Sequence, residues 1–414
     1  MKSHTTRAAH GRPSYRPLPL FLIAGAILFT LTFSLRHAIA KQLTENNLTV
    51  HEWGTFTSIA GPDGVAVDWL PLTGSTDLPS FVEHFREVAF KGGLRGTIRM
   101  ETPVLYFYSL RETNVSVNVA FSKGLITEWY PRATSANPAL RDRDYSLNNM
   151  KSPGAITWNS VHIEPTGSQD FPSDNSENHY YAARQTSSAS VLVDTPSGPQ
   201  HEKFLFYRGV SAFLPPLTAT LSSDNTVLLE NHSPQPIPNV ILFERRGQKA
   251  GYRVLGPLRD QAALAPPELS TSIDSLSSTL EGVLISQGLF PDEAHAMLET
   301  WKNSWFEEGA RLIYIVPRGF VDSVLPLHVA PAPANTARVF VGRLELVTTA
   351  TQHAVESACA TGDRATLAKY SRFLEPILGI MIQQTDDEPR QQRLAQYLNS
   401  VYENLYSQAQ NSTR

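Results

Sequence analysis

From Val50 to about Gly256 the chain alternates short apolar, β-branched and aromatic runs with turn residues. The pattern predicts strands over residues 50–59, 97–109, 115–121, 125–130, 155–163, 190–194 and 203–207. It continues at 226–230, 240–244 and 252–255. Ser122-Lys123-Gly124 and Thr195-Pro196-Ser197-Gly198-Pro199 read as tight hairpin turns. Many short strands without a helix after each imply antiparallel sheets packed as a sandwich. Residues 131–151 and 166–178 are polar and weakly patterned, so they read as long loops.

The period then changes. After Pro266-Pro267, residues 272–287 place Ile273, Leu276, Leu280, Val283 and Leu284 on one helical stripe, closed by Gly288. Pro291 opens a second helix over 292–306, with Ala294, Leu298, Trp301 and Trp305 at helical spacing. Strand patterns return at 311–316 and 338–347, and amphipathic helices follow at 364–383 and 389–408. The expected class is α+β: a large antiparallel β-sandwich-like region over 41–260, then a helical hairpin and two strands rejoining the sheet over 261–348. A helical C-terminal cap over 349–414 completes it.

Residues 50–58, Val-His-Glu-Trp-Gly-Thr-Phe-Thr-Ser, concentrate chemistry within one predicted strand. Alternation puts His51, Trp53 and Thr55 on one face and Glu52, Gly54 and Phe56 on the other. Gly54 suits a bulge or a close approach by neighbouring backbone. The simpler reading is a first core strand with Trp53 and Phe56 buried and the His–Glu pair at its exposed start. The catalytic reading takes His51 and Glu52 as site residues.

Ahead of that strand, Lys2, Arg7, Arg12 and Arg16 precede an uncharged run from Leu18 to Leu35, then Arg36-His37-Ala38-Ile39-Ala40. This is the pattern of a secretory signal over residues 1–40. The run is also long enough for an uncleaved transmembrane anchor. Either alternative places the rest outside the cytoplasm, in the periplasm or held at the membrane through residues 18–35. The first 40 residues hold five of the 35 Lys and Arg and none of the 39 Asp and Glu, so the remainder carries 30 basic against 39 acidic groups. Such a surface argues against nucleic acid, and against membrane contact beyond the N-terminal segment. The lone Cys359 forms no internal disulfide and reads as a small buried apolar residue in a helix.

Further candidates lie apart in sequence. Glu101 precedes a strongly apolar strand; it is either a rim carboxylate paired with Arg99 or Arg208, or half of an acid–base pair with Glu52 or Glu202. Glu307 and Glu308 end a helix against its macrodipole, which marks them as further catalytic candidates. Trp53, Arg208, Trp301 and Trp305 are candidate binding residues, although paired indoles one turn apart also serve to anchor a helix. His162 and Glu164 share a strand face and would need a third ligand, His179, His201 or His232, to hold a divalent metal. No Gly-x-Ser-x-Gly elbow, His-Glu-x-x-His helix or dinucleotide fingerprint is present.

The segments His51-Glu52-Trp53-Gly54-Thr55-Phe56-Thr57, Met100-Glu101-Thr102-Pro103-Val104 and 301–311 resemble an uncharacterised family of exported bacterial proteins. Residues 338–346 and Arg372-Phe373-Leu374-Glu375-Pro376 extend the resemblance over most of the chain after the export segment. It implies a bacterial envelope setting and no particular activity. Two functions follow as expectations: a hydrolase acting on an envelope glycan or peptide, centred on His51, Glu52 and Glu101, or a non-catalytic binding or assembly module. In either, the glycan, peptide or protein partner belongs to the envelope.

Overall fold

The strand that carries the His-Glu-Trp-Gly stretch, β1 (Thr49–Ile59), is buried along almost its whole length because it lies in the middle of a sheet covered on both faces. The computed structural model describes residues 48–72, 78–85, 94–137, 147, 153–174, 176 and 178–411. In chain order the main sheet then takes up β2 (Glu83–His84), β3 (Ile98–Tyr108), β4 (Gly124–Tyr130) and β5 (Leu205–Ser211). It ends with β6 (Val240–Arg246), β7 (Lys249–Leu255), β8 (Gly309–Ile315) and β9 (Asn335–Leu346). Across the sheet the order is β7-β6-β8-β9-β1-β3-β5-β4-β2. Every pairing is antiparallel except β1 with β9, which run parallel and place Glu52 opposite Arg338.

One face of this sheet packs on two smaller sheets. One contains Thr113–Phe121, Gly154–Glu164, Ser190–Thr195, Gly198–Glu202 and Leu327–Ala330; the other is Leu217–Leu221, Val227–Asn231 and Gln261–Leu264. Val50, Phe56, Met100, Leu105, Phe340 and Leu344 share that core with Val117, Trp158 and Leu229. The opposite face is covered by helices. The hairpin α1 (Ile273–Ser286) and α2 (Pro291–Trp305) sits over Trp53, Tyr106, Ile313 and Val341. After the short α3 (Arg318–Val324) come α4 (Thr349–Thr361), α5 (Arg364–Lys369), α6 (Leu374–Gln383) and α7 (Glu388–Asn411). They cover Ile59, Trp69 and Val347. The mixed α+β class, the inserted hairpin, the two rejoining strands and the helical cap are all present. Residues from Leu48 onward form one compact unit. The expected boundary near 260 falls inside a single sheet, because β6 pairs with β8.

Gly54 sits at an interruption. The β1–β3 register shifts between Trp53 and Thr55, where Thr102 takes φ +47°. A Cβ on Gly54 would lie 2.8 Å from Phe340 Cε1 and 3.2 Å from Pro103 Cα, so the close approach expected of this glycine is real.

Some expectations need correction. Ser122-Lys123-Gly124 is not a hairpin: the strand before it pairs with Gly154–Glu164 and the strand after it with β5, so the turn carries the chain from one sheet to another. The helix expected over 364–383 breaks at the 3-10 turn Ser371–Phe373. Pro376 lacks an N–H and is tolerated only in a first turn, so a new helix starts at Leu374. Cys359 is half-buried at the edge of the cap rather than in its centre. Among the described residues no helix is long and apolar enough to cross a membrane, so the transmembrane helix finds no support there. The apolar run at 18–35, and the signal read from it, lie outside the described residues.

The cap makes a direct prediction. Leu394 of α7 is fully buried against α6, whereas Leu398 is half-buried. Leu394→Ala should cost about 2–5 kcal/mol in urea denaturation, and Leu398→Ala measurably less. Equal, negligible losses would show that α7 is not docked.

Candidate functional site

Consecutive residues of a strand point to opposite faces. His51 and Glu52 therefore serve two separate centres, and both are buried, not at an exposed strand start as the simpler reading had it.

His51 faces the helical hairpin. Its Nδ1 lies 2.8 Å from Glu293 Oε2, and Glu293 is wholly buried in the first turn of α2. The same oxygen accepts the Phe290 N–H at 2.7 Å, and Oε1 accepts the Tyr108 hydroxyl at 2.9 Å. Burial and the Glu293 charge push the Tyr108 phenol far above its ordinary value. The Phe290 ring covers the imidazole at 4.5 Å and stands partly exposed. A carboxylate on Nδ1 fixes the orientation of an imidazole, as in hydrolytic triads. Among the described residues, no serine, threonine or cysteine side chain is hydrogen-bonded to His51.

Glu52 faces the sandwich core. Arg338 Nε lies 2.5 Å from its Oε2, and the Tyr207 hydroxyl holds Oε1. Arg338 also donates to Asp322 Oδ1 and to the Leu325 carbonyl, both at 2.7 Å. Burial draws the Arg338 guanidinium down, but the Glu52 charge, Tyr207 and the hydrogen bonds to Glu52 and Asp322 together outweigh it and the net shift is upward.

A third and larger centre lies on the helix face, further along β1. Glu101 Oε2 accepts the Thr57 hydroxyl at 2.7 Å, and its Oε1 meets Arg372 Nη1 at 2.9 Å and Arg99 Nε at 3.2 Å. Ser304 Oγ accepts from Arg343 Nη1 at 2.6 Å and from Arg372 Nη2 at 2.7 Å. Glu307 Oε1 takes Arg343 Nη2 at 2.5 Å, and Glu345 Oε1 takes Arg343 Nε at 2.6 Å and Arg311 Nε at 2.8 Å. Arg311 then donates to the carbonyls of Trp305, Glu307 and Glu308 at the C-terminus of α2. Its guanidinium stands where the helix dipole favours a cation. This answers the misplacement of Glu307 and Glu308: arginines neutralise that helix end. Burial raises the Glu101 and Glu307 carboxyls, but the surrounding arginines outweigh it and both sit below their ordinary value.

The segments 51–57, 100–104, 301–311, 338–346 and 372–376 all contribute to this network or adjoin it. None of Glu101, His162, Glu164, Glu202, Arg208, Glu307 and Glu308 is bonded to His51 or Glu52, so the acid–base pair of Glu101 with Glu52 is not formed. Glu101 pairs four residues beyond His51 on β1, opposite Thr55. Arg208 is held by Glu128 at 2.9 Å, and Glu202 by Arg184 at 2.7 Å. Glu308 accepts the Gly247 N–H at 3.0 Å on an exposed turn, apart from the buried network. Trp53, Trp301 and Trp305 are buried between sheet and hairpin, so they anchor the helix and offer no platform to a ligand.

The metal reading is corrected as well. His162 and Glu164 do share a face, but His162 turns to Asp194 at 3.7 Å and Glu164 to His201 at 3.9 Å, across separate strands. Among the described residues no group of three or more His, Cys, Asp or Glu could hold a metal ion. Residues missed from sequence are Glu293, Tyr108, Arg338, Ser304 and Arg372. Glu293 three residues after Phe290 reads locally as a helix-capping residue, and only the fold brings His51 to it.

Comparison with known proteins adds little. No protein family and no characterised sequence matches the chain. Seven solved chains match, among them a yeast delta-COP-I mu-homology domain complexed with a Dsl1 WxWxV peptide. That likeness has 11% identity and a TM-score of 0.26, covering 73% of this chain and 96% of the other. At that score it carries no argument about this protein.

The Glu101 centre predicts a pH dependence. A carboxyl held below its ordinary value near 4.5 adds stability above that pH, and loses it as the pH falls through the folded-state value. Glu101→Gln should lower the urea midpoint at pH 7 and reduce its fall between pH 5 and 3. A variant profile parallel to wild type would contradict the assignment.

Proposed function

We propose that this chain is an extracytoplasmic protein of the bacterial envelope that acts as a binding or assembly module. One observation carries the choice over a hydrolase: three of the four carboxylates nominated for catalysis are engaged by arginine. Glu52, Glu101 and Glu307 each accept a guanidinium, and the first two are buried. A general acid needs a carboxyl whose proton is retained near neutral pH, and a base or nucleophile needs a lone pair facing substrate. Arginine-saturated carboxyls supply neither. The basic start, the apolar run and the acidic remainder support the setting. An envelope glycan, peptide or protein fits as the partner, and nucleic acid does not.

A specific feature favours the other class. The Glu293 carboxylate orients His51 as it would orient a general base. The two readings separate in one experiment. Purified protein is incubated with isolated envelope sacculi and with envelope peptides, and bound protein and released soluble fragments are followed over time. Saturable binding without fragment release is expected. Time-dependent release that His51→Ala abolishes would establish the hydrolase instead.

A further inference from the structure

Lys203 stands at the bend between Gly198–Glu202 and β5, with only 8% of its surface exposed. Its backbone is pinned on both sides. The N–H donates to Glu202 Oε1 at 2.7 Å, and the carbonyl accepts the Ser188 hydroxyl at 3.2 Å. The carboxylates whose charge bears on its ammonium are Asp292 and Glu202. Both are committed elsewhere. Asp292 Oδ2 accepts the Ser187 N–H and hydroxyl, each at 2.7 Å, and its Oδ1 accepts the Glu293 N–H at 3.0 Å. Glu202 takes Arg184 through two bonds of 2.9 and 2.7 Å and the Tyr180 hydroxyl at 3.0 Å. Among the described residues no hydrogen bond or ion pair reaches the Lys203 amine.

A largely buried lysine with saturated carboxylates for neighbours lacks what normally keeps it charged. Burial lowers the Lys203 amine, and the opposing pull of Asp292 and Glu202 does not restore it. The amine is nevertheless not one of the sealed, partnerless polar atoms of the interior, so solvent touches it. Lys123, Lys249, Lys302 and Lys369 are all exposed by comparison.

We propose that Lys203 is a reactive amine that captures small carbonyl compounds as an imine. The neutral Nζ attacks the carbonyl carbon, and the resulting carbinolamine loses water to leave a C=N bond. The step needs no oxidant or reductant. The Asp292 and Glu202 charges disfavour carboxylated carbonyls, so the ligand class is the uncharged aldehyde or ketone. The inference is independent of the binding reading above.

The test uses benzaldehyde with cyanoborohydride to trap the imine on the folded protein at pH 7, followed by peptide mapping. Each unit by which an amine's pKa falls raises its neutral fraction about tenfold. With its amine lowered, Lys203 should therefore be labelled faster than the four exposed lysines, and the advantage should vanish in urea. Lys203→Arg should remove the fast site while the melting temperature is kept. If that variant does not fold, the comparison of folded with unfolded wild type decides alone. Labelling of Lys203 no faster than that of the exposed lysines in the folded protein would overturn the proposal.

Discussion

Seven charged side chains between the main sheet and its helices set the terms for this fold. Arg99, Arg311, Arg343 and Arg372 must leave bulk water together with Glu101, Glu307 and Glu345. Removing single ions from water costs several kcal/mol each, and the cost is offset only when geometry and hydrogen bonding are complete. Here the network is closed by neutral groups as well: Thr57, Ser304 and three carbonyls at the end of α2. Four strands, the hairpin and the C-terminal cap therefore have to arrive in register before any of these charges is satisfied. Loss of one partner would strand the others, at about 3–5 kcal/mol.

That constraint gives the aromatic residues their role. Trp53, Trp301 and Trp305 fill the helix–sheet interface beside the network and exclude water from it. Lower dielectric strengthens the ion pairs and penalises any gap in them. Gly54 belongs to the same account on the other face. A side chain there would strike Phe340 and Pro103 and push β1 from its neighbours, misplacing Thr57 and Glu101 two strands deep in the sheet.

What the sequence made legible follows from range. Period-two and helical patterns are local, so β1, β3, β8, β9 and both hairpin helices were readable to within a few residues. The polar strand Gly198–Glu202 was not, because Gly-Pro-Gln-His-Glu has no alternation to detect. The simplest ion pair, Arg343 with Glu345, was legible because two residues along a strand share a face. Arg99 was among the partners read for Glu101, but Arg372, 271 positions away, was invisible. His51 with Glu293 and Glu52 with Arg338 failed for the same reason: their partners are set by tertiary packing that no local pattern encodes. The alternating faces of His51 and Glu52 were readable, yet the catalytic reading still grouped the two residues in one site.

The charged centre ties the helical cap to the sheet through the Arg372–Glu101 pair. A double-mutant cycle across the Arg372–Glu101 pair tests it most directly, using Arg372→Met, Glu101→Gln and the double variant in urea denaturation at pH 7. Residues within one ion-pair network couple by about 0.5–3 kcal/mol. The account predicts a coupling in that range, with the double variant less destabilised than the two single losses added together. Additive single effects would contradict it, and would leave these charges without the structural role assigned to them.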